Sequence, residues 1–267
     1  MSEGAPRPTP GTPSWVSLMV HDLAGSEKFY HELFGWEFEE GPQQLGPYVR
    51  ARFGSRDVAG LGEMPGGRSF PVSWLPYLAT DDADATCALV RDCGGTVGVG
   101  PIESGDGERV AIATDPCGAP FGICQAGAEA GARWDGRLGT PVWNELLTPN
   151  TFAVSPFYSR VFGYEPEPVV SSDLDYLTLN LNGRAIGGIR GTGGTVPRDR
   201  GPHWTTYFAV EDAERAARRV AELGGRLMRE PRDSPYGRVA HVADPEGTPF
   251  AVIKMHDPQD VVTRRPR

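Results

Sequence analysis

The segment Trp143-Asn144-Glu145-Leu146-Leu147-Thr148 holds one carboxylate in an otherwise apolar and aromatic strand. Side chains alternate between faces along a strand, so Trp143, Glu145 and Leu147 share one face. A carboxyl group enclosed by aromatic rings loses hydration, its pKa rises, and it becomes suited to proton transfer near neutrality. A Glu that is exposed, or satisfied by hydrogen bonds, does no such work, and the sequence leaves both readings open. The five histidines (His21, His31, His203, His241 and His256) do not cluster, and structural or surface roles account for each. His203 stands just before a strand, and His241 either faces a cavity or packs under a helix. Cys87, Cys93, Cys117 and Cys124 lack the C-x-x-C spacing of a zinc site and all lie in the first half, which argues against both a zinc centre and a disulfide framework. The Gly-rich stretch RGTGGTVPRDRGPH lacks the G-K-[ST] that a phosphate loop requires. With EMPGGRSF it reads as a connector or as a lid at a cavity mouth.

The elements that must position these side chains occur twice. FYHELFGWEF at 29–38 returns as FYSRVFGYEP at 157–166. The same offset, 128 to 130 residues, carries Trp15 onto Trp143, Trp74 and Tyr77 onto Trp204 and Tyr207, Gly94-Gly95 onto Gly224-Gly225, and Asp115-Pro116 onto Asp244-Pro245. Each half reads as strand, helix and three short strands, followed by the same pattern again. In the first helix Phe29 and Leu33, and Tyr30 and Phe34, are four apart on one face, and Gly35 is placed as the stop. Phe29, Phe34, Phe157 and Phe162 are therefore core residues. In the last helix Ala216, Val220 and Leu223 are expected to make the buried face. The organisation is a tail at 1–11, a module at 12–126, a Gly/Ala/Arg linker at 127–139, a second module at 140–256 and a tail at 257–267.

The 267 residues carry a formal charge of −9, which argues against nucleic acid or an anionic membrane as the main partner. No run of about 18 apolar residues occurs, and the N-terminal stretch has no apolar signal core, so a cytoplasmic protein is expected.

The ordered series FYHELFGW, CGGTV and DPCGAPFGI, with its second copy FYSRVFGY, LGGRL and DPEGTPFAV, resembles the vicinal oxygen chelate superfamily of glyoxalases, bleomycin-resistance proteins and extradiol dioxygenases. WNELLT and the paired W-x-x-Y segments are similar to a tandem branch found in actinobacteria. The resemblance implies an α+β fold of four βαβββ units, which form curved mixed sheets around two cavities. Whether units pair within or across halves is not legible. Family enzymes hold a divalent metal with four side chains, usually His, Glu or Gln, from the first, fourth, fifth and last strands. At those positions this sequence has Trp15 and Trp143, the stretches VAGLG and AIGGI, Leu75 and Thr205, and Gly122 and Ala251. Indole is a donor only. The implied metal site is thus expected to be absent from both halves, and no other cofactor is expected.

If the old ligand positions mark the cavity face, it carries Trp15, Ser17 and Met19, Leu75 and Tyr77 in one half. The other half offers Trp143, Glu145 and Leu147, Thr205 and Tyr207, with Gly122 and Ala251 leaving room. Tyr48, Arg50, Arg52, Tyr176 and Thr178 lie on neighbouring strands of undetermined facing. Such a lining suits a flat hydrophobic molecule held by stacking and oriented by a few polar groups. Alternatively, Trp15 and Trp143 simply fill the space left by lost metal sites. The expected function is metal-independent binding of an aromatic or hydrophobic secondary metabolite for sequestration, self-resistance or a biosynthetic accessory role, with a biosynthetic enzyme as a further partner. The binding residues would be Trp15, Tyr77, Trp143, Glu145, Thr205 and Tyr207. Competing readings are a metal-independent cyclase or isomerase using Glu145 or a Tyr, and a metal enzyme with ligands relocated to Glu63, His203 or His241.

Overall fold

A computed structural model describes residues 8–43, 46–64, 72–104, 107–127, 136–169, 175–193 and 201–256. Most of both tails, most of the linker and the middle of the two Gly-rich connectors lie outside these residues.

The first half runs β1 (Pro13–Val20), α1 (Leu23–Phe34), β2 (Glu37–Glu40), β3 (Tyr48–Phe53), β4 (Arg56–Glu63), β5 (Leu75–Thr80), α2 (Ala83–Asp92), β6 (Thr96–Ser104), β7 (Glu108–Thr114) and β8 (Pro120–Gln125). The second repeats it as β9 (Pro141–Thr148), α3 (Thr151–Phe162), β10 (Glu165–Pro168), β11 (Tyr176–Leu181), β12 (Arg184–Gly191), β13 (His203–Ala209), α4 (Ala213–Glu222), β14 (Arg226–Ser234), β15 (Gly237–Ala243) and β16 (Pro249–Met255). Two eight-stranded mixed sheets result, ordered β2-β3-β4-β1-β5-β8-β7-β6 and β10-β11-β12-β9-β13-β16-β15-β14. They are curved but open. The βαβββ units therefore join edge to edge within a half, through antiparallel β1–β5 and β9–β13 pairing.

All four helices start on an acidic or amide cap. Asp22, Asp82, Asn150 and Asp212 each accept from a first-turn amide, which satisfies a donor the helix itself leaves unpaired. Gly35 and Gly163 end α1 and α3 in the left-handed region, at φ 74° and 72°, where a side chain would be strained.

The sheets form within halves, but the cores form across them. Phe29, Tyr30 and Phe34 of α1 pack with Phe208, Phe250, Ala217 and Val220 of the second half. Phe157, Tyr158 and Phe162 of α3 pack with Phe121, Cys87 and Val90 of the first. The four phenylalanines assigned to the core are 3 to 7% exposed. In α4 the buried residues are Ala213, Ala217 and Val220, so Val220 lies where expected, whereas Ala216 and Leu223 pack against the core only partly covered. The buried stripe is thus turned by about one residue from the face expected, because α4 packs on β14 to β16 of its own sheet while also meeting α1.

The repeated tyrosines tie the halves together. The Tyr30 hydroxyl donates to Asp244 Oδ2 at 3.0 Å, and that of Tyr158 to Asp115 Oδ2 at 3.1 Å. The second oxygen of each Asp caps its own hairpin, taking Thr248 N (2.8 Å) in one case and Cys117 N and Ala119 N (2.8 and 3.0 Å) in the other. The opening segments cross as well. Trp36 Nε1 donates to Gly139 O, and the Tyr164 hydroxyl to Gly11 O.

Candidate functional site

Helices cover one face of each sheet, and the opposite face is the candidate site. Trp74 and Tyr77 are three apart, so they point to opposite faces of β5 and its approach. Trp74 is fully buried against Tyr30 and Phe208, whereas Tyr77 lies on the open side. Trp204 and Tyr207 divide in the same way.

Cross-strand partners share a face, so the register defines the rows of the site. In the second module one row runs Trp143, Tyr207, Ala251, His241, Arg229 across β9, β13, β16, β15 and β14. A second runs Thr178, Gly188, Glu145, Thr205, and a third Tyr176, Arg190, Leu147, His203. Trp143, Glu145, Thr205 and Tyr207 thus come together on one surface. Trp15 and Tyr77 pair with each other on the equivalent surface of the other sheet, so the six expected binding residues divide between two sites. His241 faces the open side, its ring 5.8 Å edge-on from that of Tyr207. His203 is 7% exposed, and its Nδ1 lies 2.8 Å from Gly201 O.

Both modules place a tyrosine hydroxyl over a glycine. A Cβ on Gly60 would lie 1.7 Å from the Tyr48 hydroxyl, and one on Gly188 2.0 Å from that of Tyr176. Each hydroxyl accepts the indole N–H of its module's tryptophan, Trp15 at 2.9 Å and Trp143 at 3.3 Å. Tyr48, Tyr176, Arg50 and Thr178 therefore belong to the open face, while Arg52 turns to Glu39 and Asp57.

From there the modules diverge. In the first, Tyr77 lies flat on Gly122, whose added Cβ would sit 2.2 Å from the ring, and its hydroxyl takes a 3.3 Å bond from Ser17 Oγ. The space expected from Gly122 is filled by the protein's own tyrosine rather than left for a ligand. In the second, Ala251 carries the methyl group that bars this placement. Tyr207 packs there with Ala251, Val239 and Ile253, one row from Glu145.

Glu145 is the buried acid of this face. Its side chain is 7% exposed, and its Oε1 lies 3.5 Å from the guanidinium of Arg190, itself 18% exposed. Burial pushes the Glu145 carboxyl above the usual range, against the opposing pull of the Arg190 guanidinium and of the nearby Tyr207 hydroxyl. Burial also holds His241 down to about 4, and Arg229, Arg232 and Arg190 add to this, so its imidazole is neutral at ordinary pH. Trp143 stacks on Tyr236 of the β14–β15 turn with centroids 5.7 Å apart and planes 27° apart.

These residues do not fit a divalent metal. The four family positions present indole, the acid-free stretches VAGLG and AIGGI, leucine or threonine, and glycine or alanine. Among the described residues no three His, Cys, Asp or Glu side chains are grouped to hold an ion. Glu63, one of the relocated candidates, is exposed at the end of β4, away from His203 and His241 on the other sheet. All four cysteines are free thiols, and burial pushes that of Cys124 up to about 12.

The sequence alone leaves Tyr48 and Tyr176 without a facing, marks Tyr236 only as part of a turn, and gives Arg190, Arg229 and Arg232 no role, since cations do not ligate a metal. The β14 arginines could be placed only by knowing the irregular β14–β15 register, which shifts between Arg229 and Arg232.

The profile of the glyoxalase/bleomycin resistance protein/dioxygenase superfamily matches residues 12–123, and that of a glyoxalase-like domain matches 144–253. CFP32 of Mycobacterium tuberculosis, which bears the name "putative glyoxylase", is 36% identical over 251 residues, covering 91% of this chain and 95% of its own. The anthracycline biosynthesis protein DnrV of Streptomyces peucetius is 32% identical over 264 residues, covering 93% and 94%. Among solved structures, the Mn(II)-bound glyoxalase of Novosphingobium aromaticivorans superposes with a TM-score of 0.63 at 19% identity over 93% of this chain and 85% of that one. The 2,3-dioxygenase LapB of Pseudomonas does so with 0.63 at 16% over 94% and 96%. With both halves matched and relatives aligned nearly end to end, the chain belongs to the glyoxalase/bleomycin resistance protein/dioxygenase superfamily as a tandem of two modules.

Proposed function

We propose that this protein binds a flat aromatic small molecule on the open face of the second module, without a metal, in a biosynthetic, sequestering or self-resistance role in the cytoplasm. The observation that carries this reading is the difference between the two faces. In the first, Tyr77 lies over Gly122; in the second, Ala251 stands in that glycine's place, and Trp143, Tyr207 and Glu145 meet on one surface. Trp143 supplies the stacking surface, and Glu145, Thr205 and Tyr207 orient the ligand. Trp15 and Tyr77 serve as the filling of the first face. The relatives named for anthracycline biosynthesis support a planar polycyclic ligand, and a biosynthetic enzyme that makes or uses it is a natural partner.

The test is calorimetric titration with 1,4-dihydroxyanthraquinone. Trp143→Ala should weaken binding by about 1–3 kcal/mol, roughly 5- to 150-fold, while Trp15→Ala leaves it unchanged. Equal effects of the two substitutions, or none from Trp143→Ala, would remove the second face as the site.

Glu145 favours a second reading, a metal-independent isomerase or cyclase, because among the described residues it is the one buried acid on this face and its proton affinity is raised. Loss of turnover in Glu145→Gln with ligand affinity intact would establish it. Turnover surviving that substitution would exclude Glu145 as the acid-base group.

A further inference from the structure

The open face of the second module is a cationic patch in an acidic protein. Arg229 is the direct cross-strand partner of His241, and Arg232 that of Val239, so both arginines rise from β14 on the side where Tyr207 and Trp143 lie. Arg190 stands on the same face from β12. Three guanidinium groups thus surround a surface whose one buried acid among the described residues is Glu145, within a chain of formal charge −9. Arg190 faces Glu145 at 3.5 Å, too long for a strong fork-to-fork pair, and Arg229 and Arg232 are exposed on the sheet edge.

The first module supplies the comparison. Its residues at the matching register positions are Gly62 for Arg190, Val99 for Arg229 and Ile102 for Arg232, with Ile112 for His241 and Ser17 for Glu145. The irregularities in the two edge pairings fall at the same steps, so the positions correspond one to one. Five apolar or uncharged positions in one copy are five polar or ionisable ones in the other. A solvated edge needs no such concentration on the inward face. A ligand bearing negative charge does, because a guanidinium binds a carboxylate or enolate oxygen through directed, charge-assisted hydrogen bonds.

We infer that the ligand of the second face carries an acidic oxygen group, a carboxylate or an ionised phenol or enol, received by Arg190, Arg229 and Arg232 while its ring system lies on Trp143. The neutral His241 imidazole between Tyr207 and Arg229 offers one further hydrogen bond without adding charge. This rests on the proposed binding of an aromatic molecule and adds the class of group the molecule bears.

The probes are anthraquinone-2-carboxylate and anthraquinone-2-carboxamide, which share a ring system and differ in charge, titrated calorimetrically into the full chain. The carboxylate should bind at least about tenfold more tightly, as charge-assisted hydrogen bonds require. The Arg229→Ala/Arg232→Ala variant should reduce that ratio to about threefold or less through the carboxylate alone. The Arg160→Ala/Arg218→Ala variant, with both charges removed from exposed helix positions, should keep it and so exclude a general effect of net charge. Equal binding of the two probes, with the Trp143→Ala loss intact, would overturn this inference and leave the aromatic site standing. A ratio unchanged in the Arg229→Ala/Arg232→Ala variant would overturn it too. Binding of neither probe would remove both readings.

Discussion

Tyr30→Phe tests how the two halves are held together, because it deletes one oxygen and keeps the ring. The phenyl group retains the stack on Trp36, at 5.5 Å, and the edge contact with Trp74, at 5.4 Å. What is lost is the 3.0 Å hydrogen bond to Asp244 of the other half. Asp244 is 2% exposed, so water does not readily replace the donor that Oδ2 loses, while Oδ1 keeps its bond from Thr248 N. Leaving one buried acceptor short of a partner costs about 1–3 kcal/mol. For a chain of this size that corresponds to roughly 2–12 °C in melting temperature. Tyr158→Phe removes the equivalent bond to Asp115 in the other core and should cost a similar amount. The two sites lie in separate clusters, so the double variant should lose the sum to within about 0.5 kcal/mol. Urea denaturation followed by tryptophan fluorescence, together with scanning calorimetry, measures all three. A single variant within about 0.5 kcal/mol of wild type would refute the claim that these hydroxyls hold the halves together. A double variant costing no more than one single would refute their independence.

Glu145→Gln should raise stability at about pH 8 and leave it unchanged at about pH 4, measured as melting temperature in matched buffers. The sign follows from the raised folded-state pKa. Below the ordinary glutamate value both states are protonated and burial of the charge costs nothing. As pH climbs from there to the raised folded value, the unfolded state gives up its proton first, so the folded state grows progressively worse off relative to it. Equal stability of the two proteins at both pH values would refute the desolvation of Glu145. Gly122→Ala should cost about 1–3 kcal/mol by driving a methyl group into the Tyr77 ring, measured by urea denaturation. A neutral result would show that Tyr77 moves away freely and that the first face is not firmly closed.

The fold was legible because its signals are local and occur twice. Gly35 and Gly163 stop helices, Asp115 and Asp244 open hairpins, and the aromatic spacing of α1 and α3 marks one buried face each. The pairing of cores across halves was not legible, since nothing local distinguishes Phe250 as a neighbour of Phe29 from any other buried phenylalanine. Alternation along a strand correctly put Trp143 and Glu145 on one face, because β9 is regular over that stretch. It gives no facing for β14, where the register shifts twice against β15 and the two-residue period is lost before Arg232. It also failed to see that Tyr77 would lie on Gly122. A missing side chain reads as space in a sequence, but here the cross-strand partner on the adjacent strand occupies it.

The crossed cores explain why the first module persists although its open face is filled. The second sheet buries Phe208 and Phe250 against α1, and α3 buries Phe157 and Phe162 against Phe121 and α2. Deleting the first half would expose these rings together, a larger apolar surface than a soluble monomer ordinarily carries. The first sheet is thus the other half of the second sheet's core, whatever its own open face does. That division leaves the face with Trp15 and Tyr77 free to close on itself, because its stabilising work is done by Phe29, Tyr30 and Phe34 on the opposite side. The second face has the converse arrangement. It keeps a buried carboxylate and a neutral imidazole, both disfavoured by burial when charged, and the cross-half cores supply the stability against which that local cost is set.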